Sequence, residues 1–134
     1  MTAQKRITVG VLEKVLFPDL GGIEVLAKID TGAYTGALHC TKIRLVETTD
    51  GKSLHFSPFD HPEIEVASRE FKKRIVKSSN GGLQQRYFIK TTIKIKGKTY
   101  PITLSLADRS EMKWPVLIGR RFLRANNFLV DASI

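Results

Sequence analysis

A chain of 134 residues is long enough to bury a core without cross-links, and 42% apolar with 26% charged residues is ordinary for a globular protein. One cysteine, Cys40, excludes an intrachain disulfide and a four-cysteine metal site. No stretch approaches the roughly 20 apolar residues of a membrane helix, and MTAQKRITVGVL lacks a signal-type apolar region. A cytoplasmic protein with no membrane partner is therefore expected. The formal net charge of +9 is concentrated between Phe71 and Lys98, where Lys72, Lys73, Arg74, Lys77, Arg86, Lys90, Lys94, Lys96 and Lys98 meet no Asp or Glu. Such a block attracts polyanions, or else keeps a sheet edge solvated.

In chain order, ITVGVLEKVLF (7–17) and IEVLAKID (23–30) flank the turn PDLGG and predict a hairpin-like pair of strands. ALHCTKIRLVET (37–48) alternates apolar and polar residues up to an Asp-Gly turn, and SLHFSPF follows as a strand. HPEIE breaks the pattern, and REFKKRIVKSS resumes it weakly. The clearest strands are QQRYFIKTTIKIKG and KTYPITLSLAD, joined around Gly97. There Ile93 and Ile95 alternate with Lys94 and Lys96, which suits a sheet with one wet face. Val116-Leu117-Ile118 reads as a short apolar strand, GRRFLRANN (119–127) as two helical turns, and FLVDASI as a last strand. With no repeat, linker or low-complexity tract, a single domain over residues 1–134 is expected. Its class is all-β, a small closed barrel or sandwich.

The stretch AKIDTGAYTGALHC (27–40) brings a carboxylate, Asp30, to the end of an apolar strand and follows it with Thr-Gly. Asp-Thr-Gly occurs by chance in roughly 3% of chains this long, so alone it decides little. Thr31 can brace such a loop by hydrogen bonding, and Gly32 lets another backbone approach closely. The second element is WPVLIGRRFL (114–123), an apolar strand that meets Gly119 and turns into a helix.

Together these elements resemble the retropepsin-like aspartic proteases, in which DTGA is the catalytic loop and an apolar-apolar-Gly-Arg stretch packs beneath it. The wider pattern is closest to a bacterial and archaeal family named ATP-dependent zinc proteases. DTGAYTGALH, SSNGG, RYFIKT and LADRSEMKWPVLIGR occur here in that family's order, covering the chain from Ile23 to Asp131.

The resemblance implies a retropepsin-type closed barrel with one short C-terminal helix. It implies an aspartic peptidase that acts as a homodimer, because one DTG per chain supplies half of a dyad. Asp30, Thr31 and Gly32 would be catalytic. Two carboxylates about 3 Å apart share one proton, so one can deprotonate water while the other polarises the scissile carbonyl. Ala33, Arg86, Arg109 and Arg120, with Ser79 and Gly81 of the SSNGG loop, would contact substrate. Association of the family with glutamate ligases implies an acidic, glutamate-tailed protein as substrate, which the basic block would attract. No cofactor is implied, and no GxxxxGK[ST] phosphate loop is present.

Several positions keep two readings. Residues 78–82 form a surface turn or a flap, and Arg109 is an ion-pair residue or a substrate anchor. Thr35 braces the loop or merely ends a strand, and Trp114 and Phe122 are core or dimer contacts. Tyr34 stands where retroviral relatives keep an acid, so Arg120 must pair with Asp108 or Asp131 or face the substrate. His39 reads as a hydrogen-bonded support of the loop, with a zinc site through Asp30 and His39 as the lesser alternative. Cys40 reads as a buried apolar residue. Two further functions stay open: a non-catalytic barrel whose basic face (71–98) binds RNA or a ribosomal surface, and a metal-dependent hydrolase.

Overall fold

The computed structural model describes residues 6–77, 81–108 and 113–134. The elements run β1 (Ile7–Val9), β2 (Leu12–Phe17), β3 (Ile23–Ile29), β4 (Gly36–Thr48), β5 (Gly51–Pro58), β6 (Val66–Ser68), β7 (Phe71–Lys77), β8 (Leu83–Ile95), β9 (Lys98–Ala107), β10 (Val116–Ile118), α1 (Arg120–Ala125) and β11 (Phe128–Val130). The expected β2–β3 hairpin forms, with Phe17 opposite Ile23. The β8–β9 hairpin turns at Lys96-Gly97, both at positive φ (+53° and +81°). That geometry matches the right-handed twist of the flanking strands. Ile93 and Ile95 are buried and Lys94 is exposed, so the alternation does set one wet face.

Two features depart from the linear reading. The apolar run 7–17 is not one strand: it breaks at Gly10, and β1 pairs in parallel with β11. A side chain at Gly10 would put its Cβ 2.5 Å from the Ile134 carbonyl oxygen, which accepts a hydrogen bond from the Val11 N–H. The chain must cross the Ile134 backbone at this point, and only glycine leaves room. The second departure is β6, three residues added to the edge of β5 inside a stretch too short to carry a periodic signal.

Closure depends on β10. It pairs in parallel with β3, Ile118 against Ile29, and antiparallel with β4, Leu117 against Ala37. Strands β3 and β4 are consecutive in the chain, yet β10 lies between them. The order β10-β3-β2-β8-β9-β4 then returns to β10, a closed six-stranded barrel that leaves no open edge in the ring. Phe17, Ile93, Leu104 and Ile118 are fully buried inside it, each contributing about 1.5–3 kcal/mol of hydrophobic stabilisation. Helix α1 and β11 pack against β9 through Tyr100, Phe122 and Phe128, whose rings meet at 5.5–5.8 Å. Phe122 is thus a core residue. No helix among the described residues is long and apolar enough to cross a membrane.

Candidate active site

Because β10 separates β3 from β4, residues 30–35 must arch over its end. Asp30 leaves β3 with its N–H donating to the Ile118 carbonyl at 2.9 Å, which holds the residue against the β10 terminus. The loop then closes on itself. The Ala33 N–H donates to the Asp30 carbonyl at 3.2 Å, and the Gly32 N–H donates to Asp30 Oδ1 at 3.0 Å. The Asp30 side chain is half-buried, and Thr31 and Gly32 are exposed. The carboxylate is therefore oriented by a backbone donor while remaining open to solvent.

Helix α1 grips the other side of the arch. Its N-cap, Gly119, has no side chain with which to satisfy the first N–H groups. The loop carbonyls do so instead: Arg120 N–H donates to Ala33 O at 2.8 Å and Arg121 N–H to Tyr34 O at 3.1 Å. The approach is so close that a Cβ on Gly119 would lie 2.5 Å from Tyr34 O and 2.9 Å from Ala33 O. Glycine is required there by contact rather than by φ. Gly36 is equally confined, its Cβ position lying 2.2 Å from the Leu117 carbonyl oxygen.

The Arg120 side chain completes the clamp. Nη1 donates to the Gly32 carbonyl at 3.2 Å and to the Thr31 carbonyl at 3.4 Å, and the guanidinium lies 5.4 Å from the Tyr34 ring centroid. Neither expected acid holds it. Asp131 accepts from the Ser133 hydroxyl and N–H, which keep its carboxyl below the usual carboxylate range, and exposed Asp108 makes no ion pair among the described residues. Arg120 thus faces the loop, and Tyr34 takes its position by offering a ring where an acid would offer charge.

Residues farther from the arch are placed as follows. Thr35 and Tyr34 line a cleft of about 690 Å³ between the arch, the β7–β8 hairpin and Arg121. Arg86 lies on β8 opposite Arg74, outside that lining, with Nη2 donating to Gln84 Oε1 at 3.3 Å. Gly81 is exposed at φ +86° beyond the end of β7. Ser79 and Arg109 lie outside the described residues, as does most of the SSNGG loop. Trp114 is half-buried under the Lys113 ammonium. The cleft also gathers Arg69 and Arg121, cations outside the 71–98 block. Sequence carried no signal for Arg121 beyond its place after Arg120, because its proximity to Tyr34 exists only once β10 has been inserted.

The zinc in the related family's name can be tested on the histidines. His39 is buried, with Nε2 2.9 Å from Asp60 Oδ1. His55 contacts Glu65 and Ser53, and His61 contacts Glu63. Among the described residues no three His, Cys, Asp or Glu side chains converge, so they do not fit a resident zinc ion. Cys40 belongs to the hydrophobic core, and burial pushes its thiol up to about 12.

An Asp-Thr-Gly arch at the end of a barrel strand, clamped by an apolar-Gly-Arg turn, defines a retropepsin-like fold with one Asp-Thr-Gly motif in the chain. A family described as retropepsin-like aspartic endopeptidase RimB matches residues 8–134, and the chain belongs to this RimB-like family. It is similar to a probable alpha-L-glutamate ligase of Shewanella halifaxensis, 30% identical over 98% of this chain and 30% of that protein. A probable alpha-L-glutamate ligase of Desulfotalea psychrophila is 29% identical over 94% of this chain and 28% of its own length. The chain thus spans less than a third of these curated relatives. A solved structure of a Legionella pneumophila protein of unknown function, Lpg0085, superposes with a TM-score of 0.73 at 25% identity, covering 97% of this chain and 96% of that one.

Proposed function

We propose that the protein is an aspartic peptidase that acts as a homodimer and cleaves acidic, glutamate-rich peptide extensions. The observation that carries this reading is the arch: a half-exposed Asp30 oriented by the Gly32 N–H and held from below by Ile118. The chain contains Asp-Thr-Gly once, so a second copy must supply the other carboxylate. In the pair, the ionised Asp30 takes a proton from water as the water oxygen bonds to the scissile carbonyl carbon. The protonated Asp30 donates to the carbonyl oxygen. The resulting gem-diol collapses as the protonated Asp30 gives its proton to the amide nitrogen, a gem-diol hydroxyl gives its proton to the ionised Asp30 and the C–N bond breaks, which leaves the dyad again with one proton. Positioned acid–base groups of this kind contribute about 10²–10⁴-fold in rate.

The acidic substrate is supported by the charge of the cleft beside Tyr34. It is supported also by the relatives named glutamate ligases, of which a chain like this one forms a part. A hydrolase joined to an enzyme so named has a natural substrate in glutamyl peptide bonds. Ala33 of the arch and Gly81, beyond the end of β7, are proposed substrate contacts, and so is Ser79 on the strength of its place in the SSNGG sequence.

The test is incubation of wild type and Asp30→Asn with a protein bearing an oligo-glutamate tail, with and without a chelator, followed by product mass. Wild-type cleavage that survives chelation, disappears in Asp30→Asn and rises with the square of enzyme concentration at high dilution is expected. Equal cleavage by both proteins would sink the dyad. Loss on chelation would favour the metal-dependent reading. The cationic cleft also favours a second reading, a polyanion-binding barrel with an inert Asp30; salt-sensitive RNA binding unchanged by Asp30→Asn, without any cleavage, would support it.

A further inference from the structure

Five cationic side chains, Arg69, Lys72, Arg74, Lys90 and Arg121, line the 690 Å³ cleft, against one carboxylate, Glu70. None of the five is ion-paired among the described residues. Such an excess repels itself unless the ligand carries several negative charges. A smaller hollow of about 260 Å³ adjoins the cleft, and the two share Tyr34, Thr35, Lys90, Thr103 and Arg121. Lys90 and Arg121 are therefore the charged groups on the ridge between the hollows, beside the residues through which the chain leaves the Asp30 arch.

We propose that Arg121 and Lys90 determine specificity by reading the side-chain carboxylates of an acidic peptide laid across this ridge. Arg121 is anchored at its backbone by the N–H bond to Tyr34 O, so its planar fork projects from a fixed point and can take a carboxylate through two N–H groups. Phe71, Ile75 and Phe88 supply an apolar wall for the methylene groups of such side chains. The wall is built from β7 and β8, which suits an extended chain rising about 3.3 Å per residue. Single-stranded nucleic acid suits the cleft less well. It would need free aromatic faces, and the Phe88 ring already lies 6.0 Å from the Arg74 guanidinium. The proposal rests on the peptidase reading for its catalytic consequence, and its binding consequence stands apart.

The test measures binding by fluorescence anisotropy in an Asp30→Asn background, at fixed salt, with labelled hexaglutamate, hexaglutamine and a hexauridylate RNA. Arg121→Gln with Lys90→Gln should raise the Kd for hexaglutamate about tenfold, given the worth of two exposed charge pairs. Lys94→Gln with Lys98→Gln removes the same charge outside the cleft and should change it by no more than about twofold, since remote surface charges are screened. Hexaglutamine should bind at least tenfold more weakly. Arg121→Lys, which keeps the charge and loses the fork, should fall between, and all variants should melt like the parent. Equal losses in the two double variants, equal binding of hexaglutamine, or absence of hexaglutamate binding overturns the proposal. Tighter hexauridylate binding lost in the same variants also overturns it, by assigning the ridge to phosphate. If binding behaves as expected while wild type cleaves nothing, the peptidase reading fails and the ridge assignment stands. Asp30-dependent cleavage with an unchanged KM in the Arg121→Gln, Lys90→Gln variant gives the reverse.

Discussion

The Arg120 guanidinium lies 5.4 Å from the centroid of the Tyr34 ring while donating to the carbonyls of Thr31 and Gly32, so one cation serves both the wall and the floor of the Asp30 arch. A carboxylate at position 34 would draw the guanidinium toward itself. The aromatic face holds it without competing for its N–H groups, which are left for the loop carbonyls.

This arrangement separates ring from hydroxyl. Tyr34→Phe keeps the ring and should leave urea stability unchanged, whereas Tyr34→Ala should lose about 0.5–1 kcal/mol, the usual worth of an exposed cation–π contact. Arg120→Ala should lose more than Tyr34→Ala, because two carbonyls lose their donor as well. A Tyr34→Phe variant as unstable as Tyr34→Ala would show that the hydroxyl, not the ring, matters.

Gly36 and Gly119 stand at the closest backbone approaches around β10, 2.2 Å and 2.5 Å from carbonyl oxygens measured to an added Cβ. Both contacts are with backbone on which the barrel closes, so neither neighbour can yield alone. Gly36→Ala and Gly119→Ala should each cost at least the ~1–3 kcal/mol typical of overpacking. Loss of soluble expression, or a urea midpoint far below wild type, is the expected result. A near-native midpoint would mean that the arch has slack.

Cys40 offers a chemical probe of core integrity. Desolvation by burial is the largest cause of its raised pKa, opposed by the hydrogen bond from the Ala107 backbone and reinforced by the Asp108 charge. At pH 8 the native thiol should resist iodoacetamide, because the thiolate is the reacting form. Alkylation should appear only along the unfolding curve. Rapid labelling of folded protein, read by mass, would contradict the buried position.

Glu65 predicts a contribution to acid stability. Its carboxyl is held below the usual range chiefly by the His55 hydrogen bond, then by the Arg44 charge. A depressed folded pKa means that this stabilisation is present above the ordinary value of 4.5 and is lost as pH falls through the lower, folded value. Glu65→Gln should therefore lower the melting temperature at pH 6 and converge with wild type once the pH has fallen below the lowered, folded value. Parallel melting curves over the whole range would argue against the linkage.

Strand-rich character, the turns at residues 18–22, 49–50 and 96–97 and the short helix are legible in the sequence, because alternation and turn chemistry act over neighbouring residues. The sequence also determined the motifs DTGA and LIGR, whose side chains and glycines are legible without coordinates. What these motifs do to one another follows from closure of the barrel. Insertion of β10 between β3 and β4 brings Ile118 beneath Asp30, Gly119 against Tyr34 and Arg120 across the loop, contacts spanning about ninety residues that no local pattern encodes. The break at Gly10 arose in the same way, from the crossing of the Ile134 backbone. The cationic ridge was half legible. Lys90 belonged to a visible basic block, but Arg121 became its neighbour only when the barrel closed, since charge is written in the chain and proximity is written in the fold.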